Sequence, residues 1–140
     1  MGRPSPAAIR KRARRVRCLF LDIDGVLTDG KLYLGPNGEE FKTNYVRDGY
    51  GIKHVVLDNE DKLPVYERIR DRLGLADADC AVMGDDAPDL PVMARVGLAL
   101  TVADAHPVAM KAAHWASRFP GGRGAVREAC DMILAAQGKD

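Results

Sequence analysis

The stretch Val16-Arg-Cys-Leu-Phe-Leu-Asp22-Ile-Asp24-Gly25-Val-Leu-Thr-Asp-Gly30 decides the fold. Residues 16–21 are nearly all apolar and lead straight into Asp22-Ile23-Asp24-Gly25. Further on, Cys80-Ala-Val-Met83 runs in the same way into Gly84-Asp85-Asp86, with Asp89 close behind. Short, continuous apolar runs read as strands of a parallel sheet buried on both faces. Carboxylates at the carboxyl ends of such strands meet in the crevice where open α/β sheets bind ligands. Gathered there they repel one another unless a cation sits among them, and an all-oxygen set suits Mg²⁺. The two stretches predict an α/β domain with a metal-dependent site for phosphate chemistry.

The 140 residues fit a single domain with a real core. Lys and Arg total 21 against 20 Asp and Glu, a net charge of +1, so nothing global points to a polyanionic partner. The charge is uneven locally: Arg10, Lys11, Arg12, Arg14, Arg15 and Arg17 crowd the segment before the first strand. No aromatic residue interleaves with them, so residues 1–15 read as a solvated, partly helical lead-in rather than a nucleic-acid arm. Cys18, Cys80 and Cys130 are far apart and form no CxxC pair, the pattern of core cysteines in a reducing compartment. No apolar run approaches the roughly 18 residues of a membrane span, nor does the N-terminal segment carry a signal-like stretch. The expected location is the cytoplasm, without membrane contact.

Alternating Leu32, Leu34, Phe41, Thr43 and Tyr45 around Gly35-Pro36-Asn37-Gly38 predict a hairpin over residues 31–46. Residues 49–59 fit either a helix or a short strand at His54-Val55-Val56-Leu57. Asp61 as a cap, Pro64 in the first turn and Val65, Tyr66, Ile69 and Leu73 on one face predict a helix ending at Gly74. Asp89 and Pro91 open a short helix stopped by Gly97, and a buried strand follows at 98–102. Residues 108–113 predict a turn or two of helix, and 114–118 an edge strand. Val126, Ala129, Cys130, Ile133 and Leu134 form the apolar face of a last helix.

The acidic residues divide the chemistry between them. Asp22 is placed to attack phosphorus and form an aspartyl-phosphate. Asp24 is placed to protonate the leaving oxygen and then to take a proton from water. Gly25 and the amides of its turn can approach a phosphate closely. Asp85 would hold Mg²⁺ with Asp22, Asp86 and Asp89 would orient water or ligand, and Lys62 would face the phosphate oxygens and Asp22. Asp89 reads equally as a plain helix cap. His54, His106 and His114 show no ligand spacing, which leaves a zinc site unsupported.

In this order, Asp22-Ile-Asp24-Gly-Val-Leu-Thr-Asp-Gly30, Asp61-Lys62 and Gly84-Asp85-Asp86-Ala-Pro-Asp89 resemble the first, third and fourth motifs of the haloacid dehalogenase superfamily. Val46-Arg47-Asp48-Gly49-Tyr50-Gly51-Ile52, Val102-Ala-Asp-Ala-His106-Pro107 and Gly121-Gly-Arg-Gly-Ala-Val-Arg127-Glu128 are similar to its capless branch of sugar-acid phosphatases. The resemblance implies a Rossmann-like fold with a β-hairpin insert after the first strand. It also implies a metal set of Asp22, Asp24 and Asp85, and a homotetramer assembled through the hairpin. Arg47 is the implied sugar-acid contact, and Arg123 in the glycine loop would cover a neighbouring subunit's site. The implied substrate is a small phosphorylated sugar acid, 3-deoxy-D-manno-octulosonate 8-phosphate, with a nine-carbon sugar acid 9-phosphate as the alternative.

One expected motif is missing. The superfamily carries a Ser or Thr at the end of a second sheet strand, but residues 52–62 contain neither. Too few residues separate Ile52 from Lys62 for a complete strand–helix–strand unit of roughly 30 residues. One strand–helix unit therefore reads as deleted, which leaves either an impaired enzyme or a non-catalytic remnant. Thr28 is the nearest substitute hydroxyl donor.

Overall fold

The computed structural model describes residues 2–31, 33–34, 36–38, 40–41 and 61–139. Arg47, the ambiguous segment 49–59 and most of the far half of the hairpin lie outside them.

Strand β1 (Cys18–Leu21) pairs in parallel with β4 (Cys80–Met83), which pairs with β5 (Leu98–Thr101), and that with β6 (Trp115–Ala116). The apolar runs form strands because both faces of the sheet are covered, and β4 and β5 are buried at every residue. Side chains alternate between two cores. On one face Ala81, Met83, Leu98 and Leu100 pack with Ala13, Val16, Val126, Ala129 and Ile133. On the other, Cys80, Val82 and Ala99 pack with Tyr66, Val92, Met93, Ala109 and Ala113. Helices α1 (Pro6–Arg15) and α5 (Ala125–Ala136) therefore cover the first face, and α2 (Lys62–Arg72), α3 (Leu90–Met93) and α4 (Pro107–Ala112) the second. The result is the expected α/β architecture. Among the described residues, β6 is the edge strand predicted over 114–118.

The hairpin begins as predicted: β2 (Tyr33–Leu34) pairs antiparallel with β3 (Glu40–Phe41), and Gly38 takes φ 84° in the turn. Its continuation to residue 46 is outside the described residues.

The basic lead-in is helical with its charged side chains exposed, as expected, and it is also docked: Ser5 caps the helix by accepting from the Ala8 N–H at 3.2 Å, and Ala13 is fully buried. Three of its arginines are structural, Arg12 donating to the Gly97 carbonyl at 2.7 Å, Arg14 to that of Ala136, and Arg15 pairing with Asp79. Leu73 does not share the buried face of α2; it is 54% exposed, because the helix has already ended at Arg72 and the chain turns at Gly74 (φ 67°). Asp89 holds the N-cap position of α3, but its side chain bonds no N–H of that helix: a tight turn at Ala87–Asp89 precedes the helix, and the Asp86 carboxylate caps that turn by accepting from the Ala87 N–H. No helix among the described residues is long and apolar enough to cross a membrane.

Candidate active site

Register brings the two acidic clusters together. Leu21 lies beside Met83, and the Asp22 N–H donates to the Met83 carbonyl at 3.0 Å, so the chain leaves β1 alongside the end of β4. Asp22, Asp85 and Asp89 each offer a carboxylate oxygen within 4.8 Å of the others. Burial, then the neighbouring Asp22, Asp89 and Asp86 carboxylates, push Asp85 up to about 7. Three converging carboxylates, one of them unwilling to ionise unaided, are the donor set a hard divalent cation relieves.

Lys62, from the first residue of α2, supplies the charge already present. Its Nζ donates to Asp22 Oδ1 at 2.6 Å and also to Asp89 Oδ1. Burial draws the ammonium pKa down, but hydrogen bonds and attraction from Asp22 and Asp89 outweigh that and hold it above the ordinary lysine value. Asp89 is only 2% exposed and uses both oxygens: Oδ2 accepts from the Asp85 N–H at 2.9 Å and the Asp86 N–H at 3.2 Å. It is thus a turn brace and a lysine partner at once.

Gly25 is the tightest point of the site. Its φ of 85° favours glycine, and a Cβ there would lie 2.0 Å from Asp85 Oδ2. Thr28, 2% exposed, knots the same turn by accepting from the Gly25 N–H at 3.1 Å and the Gly30 N–H at 3.2 Å. Burial inside the turn, rather than these two accepted bonds, makes it a poor stand-in for the missing second-motif hydroxyl. At Gly84 a Cβ would meet the Asp89 Cβ at 2.4 Å, and the Gly84 carbonyl accepts from the buried Thr101 hydroxyl at 2.6 Å.

The structure gathers some of the expected site residues and not others. Asp22, Asp85, Asp89, Lys62 and Gly25 meet. The Asp24 carboxylate follows Asp22 on the same turn but is outside the three-carboxylate group, and Asp86 is occupied in capping. Arg123 is exposed and lines a groove of ≈ 580 Å³ with Trp115, Arg118 and Phe119, a groove whose lining does not include Asp22, Asp85 or Asp89. Arg47 is outside the described residues. His106 is an exposed loop residue whose N–H donates to the Asp85 carbonyl at 2.8 Å. His114, by contrast, is half-buried, its Nδ1 accepting from the Ala99 N–H at 2.9 Å. Sequence reasoning gave no role to Thr101 or Asp104. Asp104 sat inside a quoted motif, but its partner is remote in sequence.

The haloacid dehalogenase-like hydrolase pattern matches residues 37–124. Over 166 aligned positions the chain is 40% identical to 3-deoxy-D-manno-octulosonate 8-phosphate phosphatase KdsC of Escherichia coli, covering 97% of this chain and 88% of that protein. That alignment is longer than the 140-residue chain, so the relative carries positions with no counterpart here. A crystal structure of the same phosphatase from Yersinia pestis superimposes with TM-score 0.89 at 40% identity, over 94% of this chain and 88% of that one. The Moraxella catarrhalis phosphatase, solved with magnesium, phosphate and KDO, gives TM-score 0.90 at 27% identity over 96% and 94%. With likeness along almost its whole length and the acidic strand ends in register, the chain belongs to the haloacid dehalogenase-like hydrolases, among their phosphatases.

Proposed function

We propose that the protein hydrolyses 3-deoxy-D-manno-octulosonate 8-phosphate to the free sugar acid and phosphate, with Mg²⁺ as cofactor. The observation that carries this is Lys62 bridging Asp22 and Asp89 beside Asp85, a nucleophile held by one ammonium next to a place for a cation. The relatives named for this substrate supply its identity.

In this reading an Asp22 oxygen attacks phosphorus as the bond to the sugar oxygen breaks, and Asp24 gives that oxygen its proton. Asp24 then takes a proton from water as the water attacks the aspartyl-phosphate, releasing phosphate and restoring Asp22. Lys62 fixes the Asp22 carboxylate and neutralises part of the gathering negative charge. Asp22 and Asp85 would hold the cation, while Asp89 positions the backbone of Asp85 and Asp86. Asp24 has its carboxylate outside the group and is kept for proton transfer. The cation, when bound, offsets repulsion between the anionic nucleophile and the anionic phosphate. Gly25, Arg47 and Arg123 are the proposed substrate contacts, Arg123 from an adjacent subunit of a homotetramer joined through residues 31–46. The cytoplasm is the proposed compartment.

A second reading, a non-catalytic deletion remnant, is favoured by the aligned positions that have no counterpart in this chain and by the missing second-motif hydroxyl. Phosphate release from the octulosonate 8-phosphate decides between them, with an Asp22→Asn chain and chelator as controls. Mg²⁺-dependent turnover lost in both controls supports the phosphatase. A folded chain without turnover leaves the remnant. A nine-carbon sugar acid 9-phosphate in the same panel separates the two substrates.

A further inference from the structure

The turn that carries Asp24 and Gly25 is walled on two sides. One wall is the Asp85 carboxylate. The other is the loop before α5, packed so closely that a Cβ on Gly121 would lie 1.8 Å from the Gly25 carbonyl oxygen. A Cβ on Gly122 would lie 2.4 Å from the Asp29 nitrogen, and the Gly122 N–H donates to the Val26 carbonyl at 3.0 Å. This glycine strap therefore sets how far the Gly25 turn stands from Asp85.

Asp104 holds the strap. It projects from the β5–α4 loop, and its Oδ1 accepts from the Gly121 N–H at 2.9 Å, a charge-assisted bond to backbone. The same two loops are joined again where the Ala103 N–H donates to the Phe119 carbonyl at 3.0 Å. The loop that carries Asp104 is itself tied to the metal-site strand end, since the His106 N–H donates to the Asp85 carbonyl. A short mechanical circuit results, running from Asp85 through His106 and Asp104 to Gly121 and Gly25, and back to Asp85 by direct contact.

We infer that Asp104 is a positioning residue for the reaction, fixing the Gly25 turn relative to Asp85 through the Gly121-Gly122 strap. Its effect on turnover rests on the phosphatase reading; its effect on the turn does not. The test compares the full-length chain with Asp104→Ala and Asp104→Asn, the amide retaining an acceptor oxygen.

Amide exchange gives the first readout. In Asp104→Ala, the Gly25 and Gly122 amides should exchange about tenfold faster, with β4 and β5 unchanged and Asp104→Asn close to the parent. Kinetics give the second: kcat should fall about ten- to a hundredfold in Asp104→Ala with little change in KM, and recover in Asp104→Asn. Unchanged Gly25 and Gly122 exchange overturns the inference. So does equal loosening of β4 and β5, or an Asp104→Ala chain that does not fold, either of which makes the residue a general staple. A parent chain without turnover defeats the phosphatase reading alone, and the exchange result then decides the role of Asp104.

Discussion

Lys62 Nζ lies 2.6 Å from Asp22 Oδ1, a contact between residues forty positions apart. It joins the start of α2 to the end of β1 and reaches Asp89 as well, so one ammonium serves two carboxylates. Truncating it leaves the buried Asp89 without its cation and Asp22 without its anchor. Lys62→Ala should lower kcat/KM by about 10²–10³-fold, read from initial rates of phosphate release. Lys62→Arg should recover little, because a planar guanidinium does not replace a compact ammonium between two carboxylates. Full activity in either variant would remove Lys62 from the site.

Metal dependence should show a distinct pH signature. Asp85 is raised in the fold from its ordinary 3.8 to about 7, so between these values the folded chain binds more protons than the unfolded one. Metal-free stability should therefore fall as pH rises through that window. A bound cation replaces the proton, so the rise in Tm caused by Mg²⁺ should grow from about pH 5 to about pH 8. Thermal melts with Mg²⁺ and with chelator across that range check this; a pH-independent Mg²⁺ effect would contradict it.

Gly84 should tolerate no side chain. A Cβ there collides with the Asp89 side chain, which braces the Asp85 and Asp86 amides and holds Lys62. Gly84→Ala should cost about 1–3 kcal/mol of stability by overpacking and lower turnover by about a hundredfold through displacement of Asp89. Urea unfolding and phosphate release measure the two effects. Gly138→Ala, where a Cβ meets nothing within 4 Å, should leave turnover unchanged despite its positive φ.

His114 predicts a separate pH effect away from the site. Burial, then the Arg12 charge, hold its pKa below the ordinary 6.5, and the neutral Nδ1 accepts from the Ala99 N–H. As pH falls below about 6.5 the unfolded chain takes up this proton before the folded one, so stability declines until the lower folded value is passed. His114→Asn keeps an acceptor without titrating and should flatten the urea-midpoint profile between about pH 7.5 and about pH 5.5. An unaltered profile would assign the acid sensitivity elsewhere.

The parallel strands were legible because length and apolar continuity are local properties. Residues 80–83 lie in β4 as read, and the apolar face at Val126, Ala129 and Ile133 is buried in α5. The acidic strand ends were legible for the same reason, since each cluster follows its strand directly. Boundaries at caps were less so: Asp86 and Asp89 both suit a cap, and only the positions of the Ala87, Asp85 and Asp86 amides show how the two share the turn. Leu73 was misread because helical periodicity does not reveal that the helix has already stopped.

The sequence by itself determined an α/β chain with carboxylates at two strand ends and a lysine between them, since hydrophobic runs and charged punctuation act over a few residues. Only the tertiary structure decided that Lys62 reaches both Asp22 and Asp89, that the arginine-rich lead-in docks as α1, and that Asp104 grips Gly121. Those contacts join residues remote in sequence, and they form because covering both faces of one sheet brings its loops to a common edge, where buried polar groups must find partners.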